Sequence, residues 1–298
     1  MRRFNKKGER IMTEWTRPEP DMTAEFTYQW NSDWDEDKPI LKITKSSLGT
    51  FAWCKKQYEF SYLDRRPQDT SPAMLKGTVV HNVYENFFNE VDMTKMEGET
   101  KEKVTEYLST LFPIDDYGET YDSIISFESE RYTMSPELFM PEANEIILNA
   151  KWIVTADSNP KYPLRQDYEV HLQGIIDRVF VEGDSVILME LKTGIWKDSK
   201  MSGMRSEMAY YKLLMEESDE VDYGNITHWG WFYPDSNFCY IEECKKASIT
   251  ALKKKFARLI HAYERNNFPA SYFYKKCVHC SFMGICDAAI ENQLMDDW

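Results

Sequence analysis

Asp177, Glu190 and Lys192 are the residues of this chain whose types and spacing promise chemistry. They lie in Leu172 to Gly194, LQGIIDRVFVEGDSVILMELKTG, which reads as two apolar strands around a Gly183-Asp184 turn. With those two residues forming the loop, Glu182 faces Ser185, and counting outward sets Asp177 opposite Glu190. Directly opposed residues share a sheet face with Cβ atoms roughly 4.5–5.5 Å apart. Two carboxylates held that close repel unless a cation or a shared proton holds them, so the pattern points to a bound metal. Hard cations such as Mg²⁺ or Mn²⁺ take carboxylate oxygens and keep positions open for water and phosphate. Lys192, two residues beyond Glu190, shares that face, where its ammonium could stabilise charge developing on phosphorus. The competing interpretation is an ordinary salt bridge in the sheet.

Three thiols form a second group, Cys277-x2-Cys280-x5-Cys286. That spacing suits a soft-ligand metal site whose fourth ligand comes from elsewhere: Cys54, Cys239, Cys244 or, for zinc, His279. Spacing alone does not separate zinc from iron–sulfur. His81 opens a helix after Gly77-Thr78-Val79-Val80, and Glu207 and Tyr211 lie one helical turn apart on a single face. Taken singly, each of these also fits a structural role, as does Glu169, which reads as a surface carboxylate. The basic stretch Lys245, Lys246, Lys253, Lys254, Lys255 and Arg258 could track a phosphate backbone or form a solvated helix face.

The elements that must position these groups follow from periodicity. A helix is expected from Ser46-Ser47, carrying Leu48, Phe51, Ala52, Tyr58 and Tyr62, with Cys54 in it or at its end. A second runs from about Met74 to Phe88, a third over Ser202 to Glu217, and a long amphipathic one carries Ile249 to Tyr263. His228 to Glu242 reads as another hairpin turning at Pro234 to Asn237. Residues 90–165 are acidic, with helical patterns at Val104–Leu111, Ile124–Tyr132 and Ala143–Ile153, and offer no specific chemistry. The expected organisation is an irregular N-terminal arm over 1–40 and one domain over 41–298. Within that domain lie a helical insertion at 90–165 and a cysteine-bearing, helix-poor tail at 270–298. Helices, then strands, then a helix and more strands predict a mixed α/β fold.

The 298 residues, 42% of them hydrophobic, suffice for a substantial core. A net charge of −14 argues against a general nucleic-acid-coating protein but leaves a nuclease with a local basic track open. No run approaches the roughly 18 apolar residues of a membrane span. No signal-peptide core follows the N-terminal charges, so a cytoplasmic location is expected and six cysteines are more naturally metal ligands or buried thiols than disulfides.

Together these residues resemble the RecB-like branch of the PD-(D/E)XK nuclease superfamily, closest to its iron–sulfur exonucleases: the AddB nuclease domain, CRISPR-associated RecB-type nucleases and phage relatives. The similarity runs from about Ser46 to Cys286. It rests on Gly77–His81 as the histidine motif, Gly174-Ile175-Ile176-Asp177-Arg178 as G-x-x-D-R, and Glu190-Leu191-Lys192-Thr193-Gly194 as (D/E)-x-K-T-G. Glu207-x3-Tyr211 stands where the family has Q-x3-Y, a departure at position 207. Cys54 with Cys277, Cys280 and Cys286 matches the family's cluster pattern.

The resemblance implies a restriction-endonuclease-like mixed sheet flanked by helices, and hydrolysis of DNA phosphodiesters, by exonuclease action on single-stranded ends. His81, Asp177, Glu190 and the Leu191 carbonyl would hold Mg²⁺ or Mn²⁺. Lys192 would position the attacking water, and Glu207 and Tyr211 would contact substrate or the lysine. A [4Fe–4S] cluster on Cys54, Cys277, Cys280 and Cys286 would staple the ends of the domain, leaving Cys239 and Cys244 as free thiols. A helicase or recombination partner is compatible with this reading. The competing classes are a catalytically inactive nucleic-acid-binding module and a structural zinc or iron–sulfur subunit.

Overall fold

A computed structural model describes residues 40–68 and 71–296; of the arm expected over 1–40, only Ile40 falls among them, where it opens a strand. The elements run β1 (Ile40–Thr44), α1 (Lys45–Trp53), α2 (Lys55–Tyr58), α3 (Pro72–Glu90), α4 (Lys101–Ser109), α5 (Gly118–Met134), β2 (Ala143–Val154) and β3 (Tyr168–Glu182). They continue with β4 (Ser185–Leu191), α6 (Met201–Glu217), β5 (His228–Tyr233), β6 (Phe238–Glu243), α7 (Lys246–Glu264), α8 (Tyr274–Cys277) and α9 (Asp287–Asp296). The strands form a mixed six-stranded sheet in the order β1-β3-β4-β5-β6, with β2 also paired to β3.

Two compact units divide the described residues, each assembled from separate stretches of chain. The first holds 40–68, 151–173 and 253–296. In it β1 runs parallel to the start of β3, Ile40 opposite Glu169 through Thr44 opposite Gln173. Thr44 caps α1 through a reciprocal box with Ser47, so the helix begins a residue or two before the Ser46-Ser47 start that hydroxyl caps suggested. Phe51, Tyr58, Tyr263 and Phe268 pack as an aromatic knot at ring separations of 5.5–6.5 Å. The backbone turns extended at Cys54, which ends α1 and precedes α2. The C-terminal tail, expected to be poor in helix, carries α8 and α9.

The second unit holds 71–150 and 174–252. Here β3 turns into β4 through Gly183, whose φ of 57° is the left-handed geometry a tight hairpin asks of its loop. Glu182 pairs with Ser185 and Arg178 with Met189, the register that pattern and turn predict. β4 runs parallel to β5, Leu191 opposite Phe232, and β5 antiparallel to β6. Strand β5 is buried along nearly its whole length, as expected of HWGWFY between two neighbours. Gly230 admits its neighbours closely: a Cβ there would come within 2.6 Å of the Tyr240 carbonyl oxygen and Met189 Sδ. Val80, Tyr84, Phe87 and Phe88 of α3 recur at helical spacing and pack with Leu108, Tyr121, Ile124, Met189, Leu191 and Phe232.

One expected helix is a strand. Ala143–Ile153 lies in β2, where Leu148, Ala150 and Val154 are buried and alternate with exposed Ile147, Lys151 and Ile153. The period is two, but apolar residues on the outward face fill the gaps and imitate a helical pattern.

Candidate active site

Every side chain of this site belongs to the second unit. Pro72 at the first turn and the Ser71 side chain accepting from Met74 N–H fix the start of α3. Val80 anchors the buried stripe, and His81, one position on, sits at its edge with its ring part-exposed. His81 Nε2 lies 3.1 Å from the Leu191 carbonyl oxygen. A carbonyl can only accept, so Nε2 carries the proton in that bond and Nδ1 is left facing acid. Asp177 Oδ2 is 3.7 Å from Nδ1 and Glu145 Oε1 is 3.9 Å from it.

Asp177 and Glu190 are 4% and 3% exposed, an unusual degree of burial for carboxylates. Asp177 Oδ2 also accepts from Leu191 N–H at 2.7 Å, which ties the acid of β3 to the end of β4. Burial, and then the Glu190 charge beside it, push the Asp177 carboxyl up to about 7. Burial alone would lower the His81 imidazole, but Glu145, Asp177 and Glu190 outweigh it and its pKa is raised. Each of these shifts reports excess negative charge around a space bounded by one imidazole and several carboxylates. Among the described residues, the ligand atoms of His81, Glu145 and Asp177 all lie within 4.8 Å of one another.

A family description of the PD-(D/E)XK nuclease superfamily matches residues 42–287. The chain belongs to that superfamily. Its members use divalent metals, and the His81, Glu145 and Asp177 donors fit one: hard oxygens and an imidazole, at separations suited to a common ion. No curated protein matches the chain by sequence. Among solved structures it is similar to SSO0001, at 13% identity and a TM-score of 0.36 over 83% of this chain and 86% of that one. It is also similar to a Eubacterium rectale protein provisionally described as an exonuclease, at 9% identity and a TM-score of 0.40 over 84% and 88%.

Lys192, expected from the sequence to be the motif's lysine, lies between two acids. Its Nζ is 2.5 Å from Glu190 Oε1 and 3.0 Å from Glu207 Oε2. The salt bridge weighed against a metal site is therefore present, with Glu190 as the partner, while Asp177 faces His81. Glu207 and Tyr211 come from α6, where Met204, Met208, Leu214 and Met215 supply the buried face. The glycine of G-x-x-D-R has a steric purpose: a Cβ on Gly174 would lie 3.0 Å from Leu214 and 3.4 Å from Tyr211. Its absence lets α6 approach the sheet. Burial raises the Tyr211 phenol, and the Glu190 and Asp177 charges raise it further, so it remains a neutral hydrogen-bonding group.

Two residues of the site escaped the sequence. Glu145 lies in the stretch read as helix without chemistry, where it shares the alternation of exposed Ile147, Lys151 and Ile153 and its left-handed backbone breaks the strand's regularity. Asp235, read as a turn residue, accepts from Lys76 Nζ at 2.8 Å, Thr120 Oγ1 at 2.6 Å and Gly194 N–H at 2.6 Å. It thereby fastens α3 and α5 to the loop after Lys192.

The cysteines of the tail lie in the first unit. Cys54, Cys277, Cys280 and Cys286 line one cavity with Trp53, Phe60 and Phe282. Burial raises the Cys280 and Cys286 thiols, and the other cysteines of the group raise them further. Cys239 and Cys244 belong to the second unit, where burial pushes their thiols up to about 11 and about 12. Glu169 pairs with His171 at 3.1 Å in the first unit. Among the described residues no helix is long and apolar enough to cross a membrane.

Proposed function

We propose that this protein is a Mg²⁺- or Mn²⁺-dependent deoxyribonuclease that acts as an exonuclease on single-stranded DNA ends. The observation that carries the reading is the convergence of His81, Glu145 and Asp177 around one small space, next to Glu190 and Lys192. A divalent cation bound there supplies Lewis-acid activation of water and of a phosphoryl oxygen. His81, Asp177, Glu190 and the Leu191 carbonyl are the groups to hold it; a carbonyl has two lone pairs, so Leu191 can keep its His81 bond while it does so.

Lys192 directly follows β4, with Glu190 and Glu207 setting its ammonium at the edge of the acid group. There it can orient water and stabilise negative charge growing on the phosphate oxygens. Glu207, standing where the family has Gln, holds the lysine, and neutral Tyr211 can donate to substrate. Preference for single-stranded ends rests on the resemblance to the RecB-like branch.

Cys54, Cys277, Cys280 and Cys286 are proposed to hold a [4Fe–4S] cluster. They line one cavity in the first unit, and the choice of an iron–sulfur cluster over zinc rests on the resemblance to the RecB-like branch.

The test is a Mg²⁺ and Mn²⁺ titration against end-labelled single-stranded and duplex DNA. Metal-dependent release of nucleotides from single-stranded ends supports the proposal. Binding without cleavage at every metal concentration sinks it and favours an inactive binding module.

A further inference from the structure

Glu145 has a left-handed backbone, at φ 50°, inside strand β2. That conformation is uncommon for a residue with a long side chain, and such strain persists where the surroundings enforce it. Its Oε1 is buried and has no hydrogen-bond partner among the described residues. His81 Nδ1 is 3.9 Å away, too far for a hydrogen bond. It is nevertheless a suitable separation for two atoms bound to one ion, and Asp177 completes the group within 4.8 Å.

Building on the metal-site reading above, we propose that Glu145 is a direct cation ligand that gives the site one imidazole and three carboxylates, and that it sets a preference for Mn²⁺ over Mg²⁺ in the absence of DNA. Mg²⁺ gives up water reluctantly and binds through one or two carboxylates while keeping several waters. A third carboxylate, beside Asp177, Glu190 and the His81 imidazole, asks the ion to surrender more of its hydration shell. Mn²⁺ meets that demand more easily. The same extra charge lets the protein hold its ion before a DNA phosphate arrives.

Calorimetric titration of Mn²⁺ and of Mg²⁺ into the DNA-free full chain tests this. The wild type is expected to bind Mn²⁺ at least about tenfold more tightly than Mg²⁺, and Glu145→Gln to weaken Mn²⁺ by about 10–100-fold, the scale of losing a supporting metal contact, while narrowing the ratio. Equal Mn²⁺ affinity in Glu145→Gln overturns the proposal. So does an equal loss for both ions, which would make Glu145 only an orienter of His81. A wild type that binds neither ion would instead defeat the metal-site reading itself. Glu145→Gly guards against misfolding: freed of the left-handed strain, the metal-free variant should melt at or above the wild-type temperature yet lose the Mn²⁺-induced rise. A lower metal-free melting temperature in that variant would assign Glu145 a structural role and overturn the proposal.

Discussion

The Leu191 N–H donates to Asp177 Oδ2 at 2.7 Å, so one backbone amide joins the catalytic candidates of two strands. The acid is held by the end of the strand that carries Glu190 and leads into Lys192. Substitutions at these side chains should therefore remove chemistry without unfolding the hairpin.

Asp177→Asn and Lys192→Ala are each expected to lower nuclease turnover by at least about 10²-fold, the scale of removing one electrostatic contributor. Circular dichroism should remain that of the wild type. Normal turnover in either variant would refute the site.

The Asp177 carboxyl, raised from its ordinary 3.8 to about 7, makes metal-free stability depend on pH. Between those values the folded state binds more protons at this carboxyl than the unfolded chain, so the stability it contributes falls as pH rises through the window. Metal affinity should run the other way, because the ligand must lose its proton first. Melting curves of metal-free protein at several pH values, with Asp177→Asn as the flattened control, check both signs.

Asp235 holds Lys76, Thr120 and Gly194 from the turn between β5 and β6. Its Asp235→Ala variant is expected to lose about tenfold or more in turnover while keeping every proposed ligand, as supporting contacts around metal sites typically do. A kinetic comparison at saturating Mn²⁺ reads this directly.

Gly230→Ala forces a methyl group against the Tyr240 carbonyl and Met189, and should cost about 1–3 kcal/mol of stability. Urea denaturation would show it as a lowered midpoint at unchanged slope.

Anaerobically purified protein should be brown, and Cys280→Ser should bleach and destabilise it. A colourless, stable wild type carrying zinc would overturn the cluster assignment. The Cys239→Ser control lies outside the cysteine cavity and should keep its colour.

Much of this was legible in the sequence because hairpin arithmetic is strict. A two-residue turn at Gly183 fixes the register, which is paired out to Arg178 and Met189 and so leads Asp177 and Glu190 to the same end of the hairpin. The helices α3 and α6 declared themselves through buried residues at helical spacing. Glu145 did not, because outward-facing Ile147 and Ile153 blur the alternation that marks β2. Asp235 was visible only as a turn former, since its three partners come from distant parts of the chain. Sequence pattern reports what a residue does for its own element, and contacts between elements are beyond its reach.

The tight turn at Gly183 also bears on how the chain folds. Asp177 and Glu190 are joined by a short, local loop, and hairpins of that kind close in about 1–10 μs. Pairing β4 with β5 needs a crossover through α6, and bringing His81 to Leu191 closes a far longer loop. Local closure would bring the acids together before the imidazole arrives, and their mutual repulsion would then fall on the folding barrier as well as on the finished site. A cation able to bind the nascent hairpin would act as a folding catalyst as well as a cofactor.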